Sequence, residues 1–461
     1  MSMKWRTVEV SPAGETATDP VLDLSGNDDA RKLLLPGIDA KTLRGPNEWI
    51  ALAGPLLDSM RRNQLRSIRL PACSTLGGEQ NLEALLLGAF LYGFELIKLS
   101  GRSTQHEPMR LSIAAQDVEI LERAQRRAQA VNRARAWVEQ PANILTPVAW
   151  VEEASQVLGS LGAKVEVLGP RQLQGMGANA LFAVGRGSEH GAHLLVAEWR
   201  GAEQRANWDV ALVGKGLTFD AGGLNLKTQP NIAKMRLDMA GGAAVLGALE
   251  LAIARRARAN IVAIVPVAEN VIDALAYRPG DVIQTLSGLT VEVADTDAEG
   301  RLVLADAITY GLRHYSPACL VDLATLTTAV TRVLHEEFAG LYANDDALAD
   351  ELSRAGQEVG EPLWRLPLTS SLDYLVESDI ADLCNIGKGG LFGFGAGSPT
   401  AGAKFLEKFC GETHWAHIDI TGMVWSGEPG RRYGKGATGF GVQTLDRWLQ
   451  SRERSAVHLS Q

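Results

Sequence analysis

The stretch D-T-D-A-E-G-R-L, Asp295 to Leu302, decides how the rest of this chain is read. It follows T-V-E-V (Thr290 to Val293), a β-branched alternating run that reads as a strand. It precedes V-L-A-D-A-I-T-Y-G-L, whose apolar spacing reads as a helix. Two carboxylates, Asp297 and Glu299, therefore sit two positions apart on a strand-to-helix turn. In an extended chain alternate side chains point the same way, so both are expected to face one centre, with Arg301 continuing the alternation. Open α/β sheets place ligands at such carboxyl ends of strands.

A second stretch upstream supplies partners. V-G-K-G-L-T-F-D-A-G-G-L-N-L-K runs from Val213 to Lys227, and M-R-L-D-M-A-G-G from Met235 to Gly242. Together they offer Lys215, Asp220, Lys227 and Asp238. Hard divalent cations take oxygen ligands. Two such ions side by side need several carboxylates, because like charges so close are tolerable only with cations between them. Asp220, Asp238, Asp297 and Glu299 would supply that charge.

These segments resemble the leucyl aminopeptidase family of two-metal exopeptidases. The family signature N-T-D-A-E-G-R-L, its G-K-G-x-T-F-D-x-G-G-x-x-x-K block and its M-x-x-D-M segment all have counterparts here. So do Y-R-P-G-D at Tyr277, D-L-A-T-L-T at Asp322, W-A-H-I-D-I at Trp415 and K-G-A-T-G at Lys435. The likeness runs from about Gln140 to Leu445. It is weak before about Ala115, apart from A-F-L-Y-G-F-E near Ala89. The resemblance implies metal ligands at Lys215, Asp220, Asp238, Asp297 and Glu299, and catalytic roles for Lys227 and Arg301. It implies two divalent ions, manganese or zinc, that activate a water, with Lys227 stabilising the oxyanion and Arg301 holding bicarbonate. It further implies peptide substrates with a free N-terminus, a pocket lined by Met235 that favours apolar first residues such as leucine, and a homohexamer. Lys215 must be neutral to act as a ligand, and nearby cations and desolvation both favour that form. Two departures stand near the site. Asp295 replaces the signature's Asn, and Thr328 stands where the family has Gly.

Composition sets the frame. The 461 residues suit two domains. With 54 acidic against 45 basic residues, the net charge of −9 argues against a nucleic-acid binder. Cys73, Cys319, Cys384 and Cys410 are scattered, which fits a reducing compartment. The N-terminus lacks the apolar core of a signal peptide, and no stretch reaches the roughly 20 apolar residues of a membrane span, so a cytoplasmic location is expected.

The expected fold is α/β: a small N-terminal α/β domain over 1–115, a linking helix over 116–138, and a catalytic domain over 139–461 with a mixed sheet sandwiched by helices. In the first part, Ser67 to Pro71 and Leu96 to Leu99 read as strands, Asn81 to Tyr92 as a helix, and His106 as a solvated histidine. The family resemblance implies that the first domain serves mainly packing and assembly. The linking helix carries Arg123, Arg126, Arg127, Arg133 and Arg135, read as a solvated face because acids are interspersed. Further on, L-F-A-V-G and H-L-L-V-A-E-W read as strands, and Met235 to Ala254 as one helix. Of His414 and His417, one is expected simply to be packed. His335-Glu336-Glu337 lacks the second histidine of a zincin, and G-R-G-S-E-H-G lacks the helix a dinucleotide loop requires. A two-metal phosphoesterase or an inactive assembly scaffold remain as alternatives.

Overall fold

The computed structural model describes residues 5–12, 21–23, 32–34, 43, 45–96, 108–228, 231–387, 398–430 and 433–458. Residues 97–99 of the second expected strand, and His106, lie outside them. The chain forms two compact units: Met3–Ala136 with Trp425–Thr438, and Trp137–Val424 with Gly439–Gln461. Most of the expected linking helix, and residues 425–438, thus group with the N-terminal unit.

In the N-terminal unit a five-stranded sheet has the order Glu9–Pro12, Arg110–Ile113, Ser67–Arg69, Val21–Asp23, Lys32–Leu34, with every neighbouring pair parallel. Helices Pro46–Arg62 and Glu79–Tyr92 belong to it. The helix Val118–Glu139 is not solvated along its whole arginine face. Arg123 bonds Glu79 and Glu83, and Arg127 bonds Glu83. Arg135 is fully buried, donating to Leu91 O and Ala437 O at 2.6 Å each. Interspersed acids correctly predict a non-basic face at Arg126, which pairs with Glu122. They say nothing about a buried guanidinium that satisfies carbonyls, which only tertiary contacts reveal.

The larger unit holds a nine-stranded mixed sheet, as expected. Its four central strands, Asn260–Asn270, Val210–Gly214, Cys319–Ala324 and His414–Asp419, run parallel in that spatial order. Antiparallel partners close both sides, His193–Arg200 on Asn260–Asn270 and Ala339–Ala343 on His414–Asp419. Every residue of Val210–Gly214 and Cys319–Ala324 is buried, which is why their sequences are apolar without alternation, save Asp322, whose carboxylate is met by Trp415 and His417. Helices Pro147–Ser160, Ala240–Ala254, Glu299–Tyr315, Asp346–Val359 and Val442–His458 pack around this sheet.

Three sequence expectations change. L-F-A-V-G lies in the helix Asn179–Gly185, because the buried Asp306 carboxylate accepts the Ala180 and Leu181 amides at 2.9 Å and caps its first turn. The expected helix Met235–Ala254 is broken: a 3₁₀ segment, Asn231–Leu237, ends just before Asp238, and the α-helix starts at Ala240. The run Ile232–Ala254 is also long and apolar enough to cross a membrane, contrary to the sequence reading. The most apolar 18-residue window in it is 89% buried inside the fold, as a core helix is.

That helix approaches the sheet through glycine. A Cβ on Gly241 would stand 2.2 Å from Leu323 O and 2.8 Å from Leu323 C, both backbone atoms that cannot step aside. Gly241→Ala is expected to push the helix off the strands and to cost about 1–3 kcal/mol, the range for overpacking a rigid core. Urea unfolding with an unchanged midpoint would show that the contact relaxes without cost.

Candidate active site

The central strands end where the candidate residues begin. Val210–Gly214 delivers Lys215, and Gly216–Asp220 ends on Asp220 itself. Asp238 sits at the break between the 3₁₀ segment and the core helix. The strand Thr290–Glu292 stops five residues before Asp297, and Glu299 is the first residue of the helix Glu299–Tyr315. Extended-chain alternation is therefore not what brings Asp297, Glu299 and Arg301 together; a turn and a helix start do so. That turn is held from outside. Asn385 accepts the Ala294 amide at 2.8 Å and donates to Asp295 O at 2.6 Å. Tyr277 and Asn270 both donate to Thr296 O, at 2.7 and 2.9 Å.

All seven candidates line one cavity of about 190 Å³: Lys215, Asp220, Lys227, Asp238, Asp297, Glu299 and Arg301. Met235, Asp295 and Thr325–Thr328 complete much of its wall. A larger open cavity of about 1230 Å³ contains Arg205, Arg255 and Arg258, near the amino ends of the parallel strands. The smaller one carries the chemistry, because acids and bases converge there. One oxygen from each of Asp220, Asp297 and Glu299 lies within 4.8 Å of the others. Lys215 Nζ stands 2.8 Å from Asp238 Oδ2, 2.8 Å from Glu299 Oε1 and 3.0 Å from Thr325 O. Lys227 Nζ is 2.7 Å from Asp220 Oδ2 and also pairs with Asp297. Gly300 makes room for this, since a Cβ there would meet Lys215 Cε at 2.7 Å.

Burial disfavours charge on every member. At Lys215 burial is outweighed by Asp238, Glu299 and Asp220, and its ammonium is held well above its usual range. Lys227 is raised likewise, with Asp220 and Glu299 overcoming burial. The carboxylates bear the cost. Burial first, then the negative charge of Asp220 and Glu299, pushes Asp238 up to about 8 against the opposing pull of Lys215. Burial, Glu299 and Asp220 push Asp297 up to about 7. Glu299 is raised by burial and by Asp220. Arg301 is lowered by burial despite Glu299, Asp295 and Asp419. Glu299 Oε2 and Arg301 Nε and Nη1 are buried with no hydrogen-bond partner among the described residues. Crowded hard oxygens, one of them unpartnered, fit divalent cations well.

The comparisons agree with the geometry. The catalytic-domain model of the cytosol aminopeptidase family matches residues 132–446. The chain belongs to the cytosol aminopeptidase family. A probable cytosol aminopeptidase from Brucella ovis is 39% identical, the match covering 92% of this chain and 86% of that protein. One from Shewanella oneidensis is 40% identical, covering 91% and 83%. Among solved structures, the bottromycin maturation enzyme BotP in complex with Mn is similar, at 30% identity and a TM-score of 0.80, covering 92% of this chain and 90% of that one. The chain is thus a metal-dependent exopeptidase, a hydrolase, like the rest of the cytosol aminopeptidase family.

Sequence reading missed several members of this site. Thr325 donates its hydroxyl to Asp238 Oδ1 at 2.7 Å while its carbonyl receives Lys215. Asn270 donates to Asp220 Oδ1 at 2.8 Å; a polar residue closing an apolar strand was the available signal. Asn385 had no local signal. Of the two histidines, His417 is the packed one, fully buried and 2.6 Å from Asp322. At the departures, Thr328 lines the cavity, and Asp295 Oδ1 accepts the Asp297 amide at 2.8 Å. An asparagine oxygen would accept that bond equally, so the substitution adds charge without changing the turn.

Two measurements follow. The raised carboxylates bind more protons folded than unfolded, so their stabilising contribution is full below about 4, the ordinary carboxylate value, and is lost as pH rises from there to about 7 to 8. Both lysines stay protonated across that window and add no slope. Chelator-treated protein should therefore lose melting temperature between pH 5 and 8, inside the range set by these two groups, faster than protein saturated with manganese. Parallel curves would contradict the electrostatic picture. Separately, Asp295→Asn should keep the fold and bind Mn²⁺ more weakly by about 1 kcal/mol, the scale of one charge acting over a few ångströms. Calorimetric titration of both proteins tests this, and unchanged or tighter binding would make Asp295 purely structural.

Proposed function

We propose that this chain is a two-metal aminopeptidase that releases N-terminal residues, preferentially apolar ones such as leucine, from peptides. The observation that carries the reading is the convergence of four carboxylates and two lysines on one small cavity at the carboxyl ends of the central strands. Lys215, Asp220, Asp238, Asp297 and Glu299 would hold the ions, manganese or zinc; BotP, the structural relative, was solved with Mn. When bound, the ions supply Lewis acidity and a water acidified toward neutrality.

This chain's own residues do the rest. Lys227 is kept cationic by Asp220 and Glu299, so it can donate to the oxyanion that develops on the scissile carbonyl. Arg301 stays protonated and cannot be a base. Its unpartnered Nε and Nη1 point to an anion, and bicarbonate there would supply a proton acceptor. Met235 on the cavity wall supports an apolar first side chain, and Thr328 narrows the channel. The reading extends to a cytoplasmic homohexamer, with residues 1–115 serving packing and assembly; the relatives' designation as cytosol aminopeptidases supports the location. No observation favours a phosphoesterase or an inactive scaffold.

Amino-acid amides assayed against phosphate esters, with and without Mn²⁺ or Zn²⁺, test the reaction class. Metal-dependent hydrolysis of leucine amide alone is expected, and phosphate release would replace the proposal. Lys227→Ala should keep its metal and lose about 10²–10³-fold in turnover, the effect of removing one oxyanion donor. Wild-type turnover, or metal loss, in that variant would remove Lys227 from this role.

A further inference from the structure

Asp419 is fully buried at the end of the strand His414–Asp419, and Ala324 is its register partner on the neighbouring strand. Both chains leave the sheet there and turn into the cavity wall. Five donors converge on this one carboxylate. Oδ1 accepts the Leu326 amide at 3.3 Å, the Thr421 amide at 3.2 Å and the Thr421 hydroxyl at 2.7 Å. Oδ2 accepts the Thr327 amide at 3.1 Å and the Thr327 hydroxyl at 2.7 Å. Leu326, Thr327 and Thr421 all line the cavity. The residue just before them, Thr325, gives its hydroxyl to Asp238 and its carbonyl to Lys215.

We propose that Asp419 is a positioning residue: its carboxylate clamps the 325–328 loop and Thr421 into the wall against which the substrate is held. The inference rests on the aminopeptidase reading of the same cavity. Only a carboxylate suits the position. Asparagine would turn an amide N–H toward at least one donor that now finds an acceptor, and alanine would take the acceptor from three backbone amides and two hydroxyls. The clamp also bears on Arg301. Because five local donors saturate Asp419, it offers Arg301 a nearby opposite charge without occupying the guanidinium's own N–H groups.

The test uses full-length, manganese-loaded protein and leucine 4-nitroanilide. Asp419→Asn should keep two manganese ions per chain by elemental analysis and still melt cooperatively, while KM rises about tenfold and kcat changes by less than about threefold. Thr421→Val and Thr327→Val, each removing one hydroxyl from the clamp, should raise KM about threefold; they decide the matter if Asp419→Asn does not fold. A lower melting temperature with wild-type KM in all three would make the clamp structural only and overturn the inference. Loss of metal with activity would also overturn it, because Asp419 would then act through the ion site. A wild-type protein that fails to release 4-nitroaniline with manganese bound would instead sink the aminopeptidase reading itself.

Discussion

Mutual repulsion among Asp220, Asp238, Asp297 and Glu299 is the constraint around which this unit is built. Four acids on a cavity of about 190 Å³ cannot all ionise unless cations stand between them. Two ammonium groups supply part of that charge: Lys215 bridges Asp238 and Glu299, and Lys227 bridges Asp220 and Asp297. Even so, Asp238 and Asp297 remain pushed up toward neutral pH, so two ammonium groups do not fully discharge the cluster. The remaining deficit of positive charge is the physical case for divalent ions.

Holding such a cluster requires a rigid frame, and the sheet provides it. Four parallel strands end at one edge, so the loops leaving them meet there without long excursions. Small residues let the elements close in: Gly241 under the core helix, Gly300 beside the Lys215 stem. Buried polar side chains then fix the loops, with Asn385 and Tyr277 on the acidic turn and Asp419 on the opposite wall. Each of these groups is satisfied by backbone partners, and a fully satisfied buried polar network specifies one arrangement.

Much of the site was legible because its chemistry is dense in sequence. D-T-D-A-E-G-R-L and the Val213–Lys227 block hold six of the seven candidates in two short runs. The fold class was legible for a similar reason: continuous apolar strands alternate with helices. What was not legible lies in tertiary detail. L-F-A-V-G has strand-like composition and becomes a helix because Asp306, 125 residues away, caps Leu181. Arg135 looks like a solvated helix charge and is a buried clasp on carbonyls far along the chain. Asp297 and Glu299 were expected to converge by strand alternation and converge instead through a turn and a helix start. These residues thus meet in one cavity through a local geometry other than the expected one, because spacing of two suits both arrangements.

The two lysines show how one residue type serves two purposes. Both are held strongly protonated by neighbouring carboxylates. On the proposed reading Lys215 becomes a ligand and Lys227 stays a cation, and their surroundings account for the difference. Lys215 has a carbonyl partner, Thr325 O at 3.0 Å. A neutral amine keeps two N–H donors and gains one lone pair, so it can hold that carbonyl and still offer the lone pair to an ion. Lys227 pairs with carboxylates, Asp220 and Asp297, which favour the charged form. Lys227 is also the more exposed of the two, at 16% against 3%, so water helps to keep its charge. Lys215, buried and with a carbonyl to hold its remaining N–H groups, would therefore be the lysine suited to serve as a neutral ligand, and Lys227 the one suited to stay charged.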